Sequence, residues 1–492
     1  LPLATVALLG WSCGGPVPRA LPLPKEAPSA IAPVAPDPEP WRRERPAPGA
    51  PGALEFPTAE RAELSNGLTL LLVKRPVPIV SMQLVFRHGA SACPPGKSGL
   101  AALTARMLTE GTKRHPGPKL AAAVEQLGTT LDADTERDTT TLSMSVLAAD
   151  TERALELLAE VVQEPSLAGS DFERVQKEWL DGLRSERQSP ERLASLVALV
   201  SLLGKPHGSP VSGHIGDVSK LTSKDIVSFH RRAYTADHAA LVVVGDLELA
   251  VVRKHAERVF GKLPKGGVEL DQPFSPAVTA SSRHVLLVDR PGAVQSVLAL
   301  VQPFPKRSEP GFETRELLGT LLGGLFTSRL NTNLREEHGY TYGARAQNVA
   351  TRHWGALFVA SSVRSDVTAE ALREALKELE QVREPSLGEP IAEAELKRAR
   401  ADLVQSLGAR LEHGTRIGSA ISDLWSERLP SDYYRQYPQL LARETTESVT
   451  RAAGLITPER LLTVVVGDRQ QIEAPLRQAG FDVALAPPEL LD

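Results

Sequence analysis

An internal duplication limits what this chain can fold into more than any other feature of it. The segment VKRPVPIVSMQLV (73–85) returns as VDRPGAVQSVLALV (288–301), which sets Arg75-Pro76 against Arg290-Pro291 and Ser81 against Ser296. Further along, ALVVVGDLE (240–248) returns as LTVVVGDRQ (462–470). The two matches have offsets of 215 and 222 residues. Agreement on nearly one period implies two similar halves, each long enough to build its own core.

Within each half the pattern alternates between strands and helices. Val/Leu-rich runs broken by proline predict paired, hairpin-like strands at 68–74 and 80–87, and again at 284–289 and 294–302. A helix follows in each half, at 98–109 and 312–323, with later strands at 139–147 and 356–363. Long helical stretches at 171–188, 191–203 and 391–425 fill the remainder. The expected class is α+β: duplicated halves at 57–262 and 283–485, each a mainly antiparallel sheet covered on one face by helices. The Gly/Pro-bearing stretch 262–282 reads as their linker.

The N-terminal region differs in kind. LPLATVALLGWSCGG is apolar, free of charge, and ends in small residues around Cys13. Residues 14–56 then hold 12 of the chain's 39 prolines, a composition of extended spacers rather than cores. Segment 1–13 is expected to be a lipoprotein-like export signal with Cys13 as the lipidated residue, and 14–56 a tether. The protein is therefore expected outside the cytoplasm of a bacterium, periplasmic or bound to the outer membrane through that lipid alone. Lys+Arg 56 against Asp+Glu 60, with 4% aromatics, leaves no basic stripe or stacking platform for nucleic acid. Cys93 is the only other thiol, which excludes a disulfide framework.

GLAALTARMLTEGT (99–112) places Leu100, Leu103 and Met107 on one helical stripe and Ala102 and Arg106 one turn apart on another face. Together with LDADTERDTTTLSMSVL, HGSPVSGHIGDVSKLTSKDIVSFHRRAY, VVVGDLE and LLGGLFTSRLNTNLREEHGYTYG, it resembles the pitrilysin/insulinase family of zinc metallopeptidases in their short bacterial form. The resemblance runs from about residue 57 to 480. It implies two α/β repeats closing like a clamshell around a peptide.

In that family a helix bearing H-x-x-E-H supplies two zinc ligands and the glutamate that activates water. Here the matching positions are Ala102, Ala105 and Arg106. An alanine offers a metal no lone pair, and a permanently protonated guanidinium repels a cation. The position of the third ligand is Ser185, with Glu178 one helical face earlier and Glu186 one residue on. The other histidines, His207, His214, His230 and His238 among them, read as surface or lightly buried. No metal is expected in this chain.

The second half matches the family segment whose arginine and tyrosine, seven residues apart, bind the substrate backbone and polarise the scissile carbonyl. These correspond to Arg335 and Tyr342, with Tyr340 in the same turn. Gly323-Gly324 resembles a glycine loop that admits a peptide backbone, though a helix C-terminus accounts for it equally. Taken together, the resemblance implies a non-catalytic subunit that pairs with a related zinc-bearing subunit with intact H-x-x-E-H and binds peptide. The alternative is an inactive peptide-binding or structural scaffold of the same fold, like the zinc-less members found in respiratory complexes.

Overall fold

The computed structural model describes residues 55–205, 207–267 and 284–491. Cys13, nearly all of the 14–56 spacer and most of the 262–282 linker lie outside these residues. Two six-stranded sheets organise the rest. The first contains β1 (Glu60–Glu63), β2 (Thr69–Lys74), β3 (Ile79–Phe86), β4 (Asp132–Thr135), β5 (Thr140–Leu147) and β6 (Ala239–Gly245). The second contains β7 (His284–Asp289), β8 (Gln295–Phe304), β9 (Thr341–Ala350), β10 (Gly355–Arg364), β11 (Leu462–Gly467) and β12 (Asp482–Leu485). Among the described residues, no helix is long and apolar enough to cross a membrane.

The strands expected to pair as hairpins do not touch. In the first sheet the order is β1-β2-β6-β3-β5-β4, and in the second β12-β7-β11-β8-β10-β9. The VVVGD strand of each half is inserted between the two that open it, parallel to the first and antiparallel to the second. Parallel neighbours need a long crossover, and the 164 residues between β2 and β6 supply one. The ladder also corrects the match of Ser81 with Ser296. Ser81 opposes Val244, whereas it is Val297 that opposes the equivalent Val466. A shift of one residue moves a side chain to the opposite face, and Ser296 accordingly accepts a hydrogen bond from Thr368 at 2.8 Å on the far side of its sheet.

The expectation of one covered face fails as well. β2 and β6 are buried along almost their whole length, the signature of strands covered on both sides. One face of the first sheet packs on its own half, with Leu70, Leu72, Met82 and Leu241 in one core with Leu103 and Met107. On the other face Leu71, Val73, Val242 and Val244 join Ile417, Ile421 and Leu424, which belong to the second half's helix Gly414–Ser426. The exchange is reciprocal. Helix Pro190–Leu203 of the first half buries Leu193, Val197 and Val200 against Val297, Val301 and Val464 of the second sheet. Full burial of such side chains is worth about 1.5–3 kcal/mol each.

The stretch 391–425 is thus two helices, Glu393–Ala409 and Gly414–Ser426, because the second must leave its own half to reach the other. The repeated Arg-Pro fastens both crossings. Arg75 donates to the Glu412 carbonyl at 2.9 Å, just before one exchanged helix. Arg290 donates to the Gln188 carbonyl, just before the other. The two seams differ in chemistry. Gln83 donates to the Thr415 carbonyl at 3.0 Å and accepts from Ser422 at 3.1 Å, whereas the buried core of the opposite seam is apolar, aliphatic apart from Trp354.

Candidate functional site

The first half's degenerate position lies on helix Leu100–Leu108, buried along all but one of its residues. Ala105 is 1% exposed and packs into the fold. Ala102 and Arg106 face a pocket of about 590 Å3 walled by β4, Trp179, Glu186 and helix Pro190–Leu203. Arg106 pairs with Glu110 and donates to Thr109 Oγ1 at 2.7 Å. Glu110 in turn pairs with Arg174, which holds Glu178 at 3.0 Å. Glu178 is therefore committed to an i,i+4 ion pair. Ser185 is exposed and does not line this pocket.

Glu186 does line it, but pairs with Arg192 at 3.1 Å and accepts from Ser212. These side chains do not fit zinc: alternating ion pairs stand where lone pairs would have to converge. Among the described residues, no group of three His, Cys, Asp or Glu side chains is arranged to hold a metal. Two of the four named histidines are more buried than the sequence suggests, while His230 and His238 are half-buried. His207 is 3% and His214 0% exposed, with His214 Nε2 3.0 Å from the Ser209 hydroxyl.

The second half is arranged differently. Arg335, Tyr342, Gly323 and Gly324 all border one cavity of about 820 Å3. Arg335 sits on a π-helical turn, Thr332–Glu337, a rare geometry found disproportionately at functional sites. Its guanidinium lies 3.8 Å above the Phe326 ring and 3.5 Å from Glu336. Tyr342 projects from a β-bulge: the β9–β10 register shifts between Ser361 and Val363, so Tyr342 and Gly343 together oppose Ser362. Bulges of this kind re-aim side chains.

Hydroxyl groups fasten the bulge. Thr341 donates to the Ser362 carbonyl at 2.6 Å and accepts from the Gly343 N–H at 3.0 Å. Ser361 donates to the Gly343 carbonyl at 3.1 Å. Asn331 then ties the strand to the Phe326 turn, donating to the carbonyls of Leu325 and Ala344 at 3.0 and 2.9 Å and accepting from the Ala344 N–H at 2.8 Å. The outcome is a phenol 90% exposed at the cavity edge.

Two sequence-based assignments change. Tyr340 does not border the cavity: its ring stacks on His338 at 4.9 Å and packs against the half's core. Gly323 is required by a strand rather than by a peptide. A Cβ placed on it would lie 2.1 Å from the Ala346 nitrogen of β9. Sequence reasoning missed Phe326, Asn331 and the Thr341/Ser361 staple. The glycine directly after Tyr342 was the one local signal of a bulge.

Comparison with known proteins agrees with this architecture. The insulinase (peptidase family M16) model matches residues 69–198, and the peptidase M16 inactive domain model matches residues 220–403. A protein of Rickettsia bellii described as an uncharacterised zinc protease is 24% identical over 351 residues, covering 70% of this chain and 82% of its own length. A Helicobacter pylori protein described as a non-peptidase homologue, YmxG, is 25% identical over 54% of this chain and 61% of its own. The crystal structure of a peptidase M16 inactive domain from Pseudomonas fluorescens superposes with a TM-score of 0.75 at 24% identity, covering 83% of this chain and 98% of the other. The duplicated halves, the matched segments and these likenesses make the chain a member of the insulinase (M16) family, one whose make-up fits a catalytically inactive member.

Proposed function

We propose that this chain is the non-catalytic, substrate-binding subunit of a heteromeric zinc endopeptidase. It would hold a peptide and present Arg335 and Tyr342 to the zinc site of a related subunit that retains H-x-x-E-H. The observation carrying this reading is the contrast between the halves: the charge of Arg106 is paired with Glu110, which also holds Arg174, while Arg335 and Tyr342 are held on irregular backbone at the edge of one cavity. A guanidinium and a phenol are suitable donors for developing oxyanion charge. An inactive scaffold of the same fold would have no use for a tyrosine built out to 90% exposure.

The test is kinetic. Tyr342→Phe removes one hydroxyl from an exposed side chain, so folding and assembly should persist. Loss of one oxyanion donor lowers turnover by about 10²–10³, and kcat should fall far more than KM rises. The same assembled pair showing kcat within about twofold of wild type, well short of that range, would assign the chain to the scaffold reading.

A further inference from the structure

The cavity beside Arg335 and Tyr342 is an uncovered part of the second sheet. Helix Pro190–Leu203 covers β8 and β11, and on the same face leaves β9 and β10 open around Arg345 and Ala360. Across that opening Arg345 opposes Ala360, and Ala360 opposes Ala299. Two successive alanines leave a low floor between the helix and the edge strand, with Phe358 beside it. Arg345 stands on this floor, exposed, one strand repeat beyond Gly343.

The charges around the trough are unequally committed. Glu191 accepts hydrogen bonds from Ser189 at 2.9 Å and Ser362 at 3.2 Å, and these contacts, with one to its own backbone, hold its carboxyl below the ordinary range despite partial burial. Arg335 has Phe326 and Glu336. Of the three side chains, that of Arg345 alone makes no hydrogen bond, ion pair or ring contact among the described residues. A planar fork of donors left unpaired on a small-residue floor is suited to a carboxylate.

We propose that Arg345 is a specificity-determining residue that recognises an acidic side chain of the bound peptide, while the alanine floor accepts a neighbouring apolar one. This rests on the reading of the cavity as a peptide site, but not on any catalytic role for Tyr342. The probe is a set of fluorescein-labelled, alanine-rich nonapeptides with one leucine and a single Glu, Gln or Lys placed at successive positions. Binding is measured by anisotropy to the full chain.

In at least one register the Glu peptide should bind about fivefold tighter than its Gln counterpart, the upper range for a solvent-accessible ion pair. Lys should bind more weakly than either, and the preference should shrink as salt rises. Arg345→Lys should keep part of the preference, and Arg345→Glu should reverse it in favour of Lys. Equal affinities in every register, no binding at all, or a Glu preference that survives Arg345→Glu would each overturn the proposal. If the Arg345 preference holds while Tyr342→Phe leaves turnover of the assembled pair intact, only the oxyanion role falls.

Discussion

Arg106 and Arg335 carry the same guanidinium on helical turns, and their surroundings give them opposite uses. Arg106 is locked between Thr109 and Glu110, and Glu110, paired also with Arg174, extends the network to a second helix. Arg335 spreads over an exposed ring at a cavity edge. The sequence could identify both residues, because spacing within one helix or turn is a local property. It could not distinguish the two glycines that precede Arg335. Gly323 backs onto the Ala346 nitrogen, while the nearest atoms to a Cβ on Gly324 would be those of the Thr320 side chain, at 3.3 Å. Gly323→Ala should therefore cost at least about 1–3 kcal/mol through overpacking, seen as a lower thermal midpoint, while Gly324→Ala should be nearly neutral. Equal midpoints for the two variants would contradict the close approach of that turn to β9.

At the scale of elements, the strands and most helices were legible because their apolar periodicity is written in contiguous residues. Their partners were not. Nothing near Leu71 or Val73 indicates that these side chains will be covered by Ile417 and Ile421, more than 300 residues away in the chain. The continuous apolar runs of β2 and β6 did carry a usable hint, since a strand with one wet face alternates as β5 does. The Arg-Pro repeat was visible too, but its use as a clasp on the opposite half's helix appears only in three dimensions. Helix exchange makes the halves mutually dependent. Residues 57–262 expressed alone would leave Leu71, Val73, Val242 and Val244 uncovered and should aggregate or fold only on addition of residues 283–485. A soluble, monomeric first half with a cooperative thermal transition would show that the exchanged helix is dispensable.

For the whole molecule, the duplication gave each half the same scaffold, and the chemistry then diverged. One half has a buried helix carrying Ala102, Ala105 and a paired Arg106; the other has two donors on a π-turn and a bulge. If that division is functional, metal and hydrolysis must come from elsewhere. The most direct measurement is zinc content and peptide hydrolysis for this chain alone, for a related subunit with intact H-x-x-E-H, and for the two combined. The account predicts no stoichiometric zinc and no hydrolysis in this chain alone, with full activity only in the combination. One zinc per chain together with chelator-sensitive proteolysis by the isolated chain would contradict it.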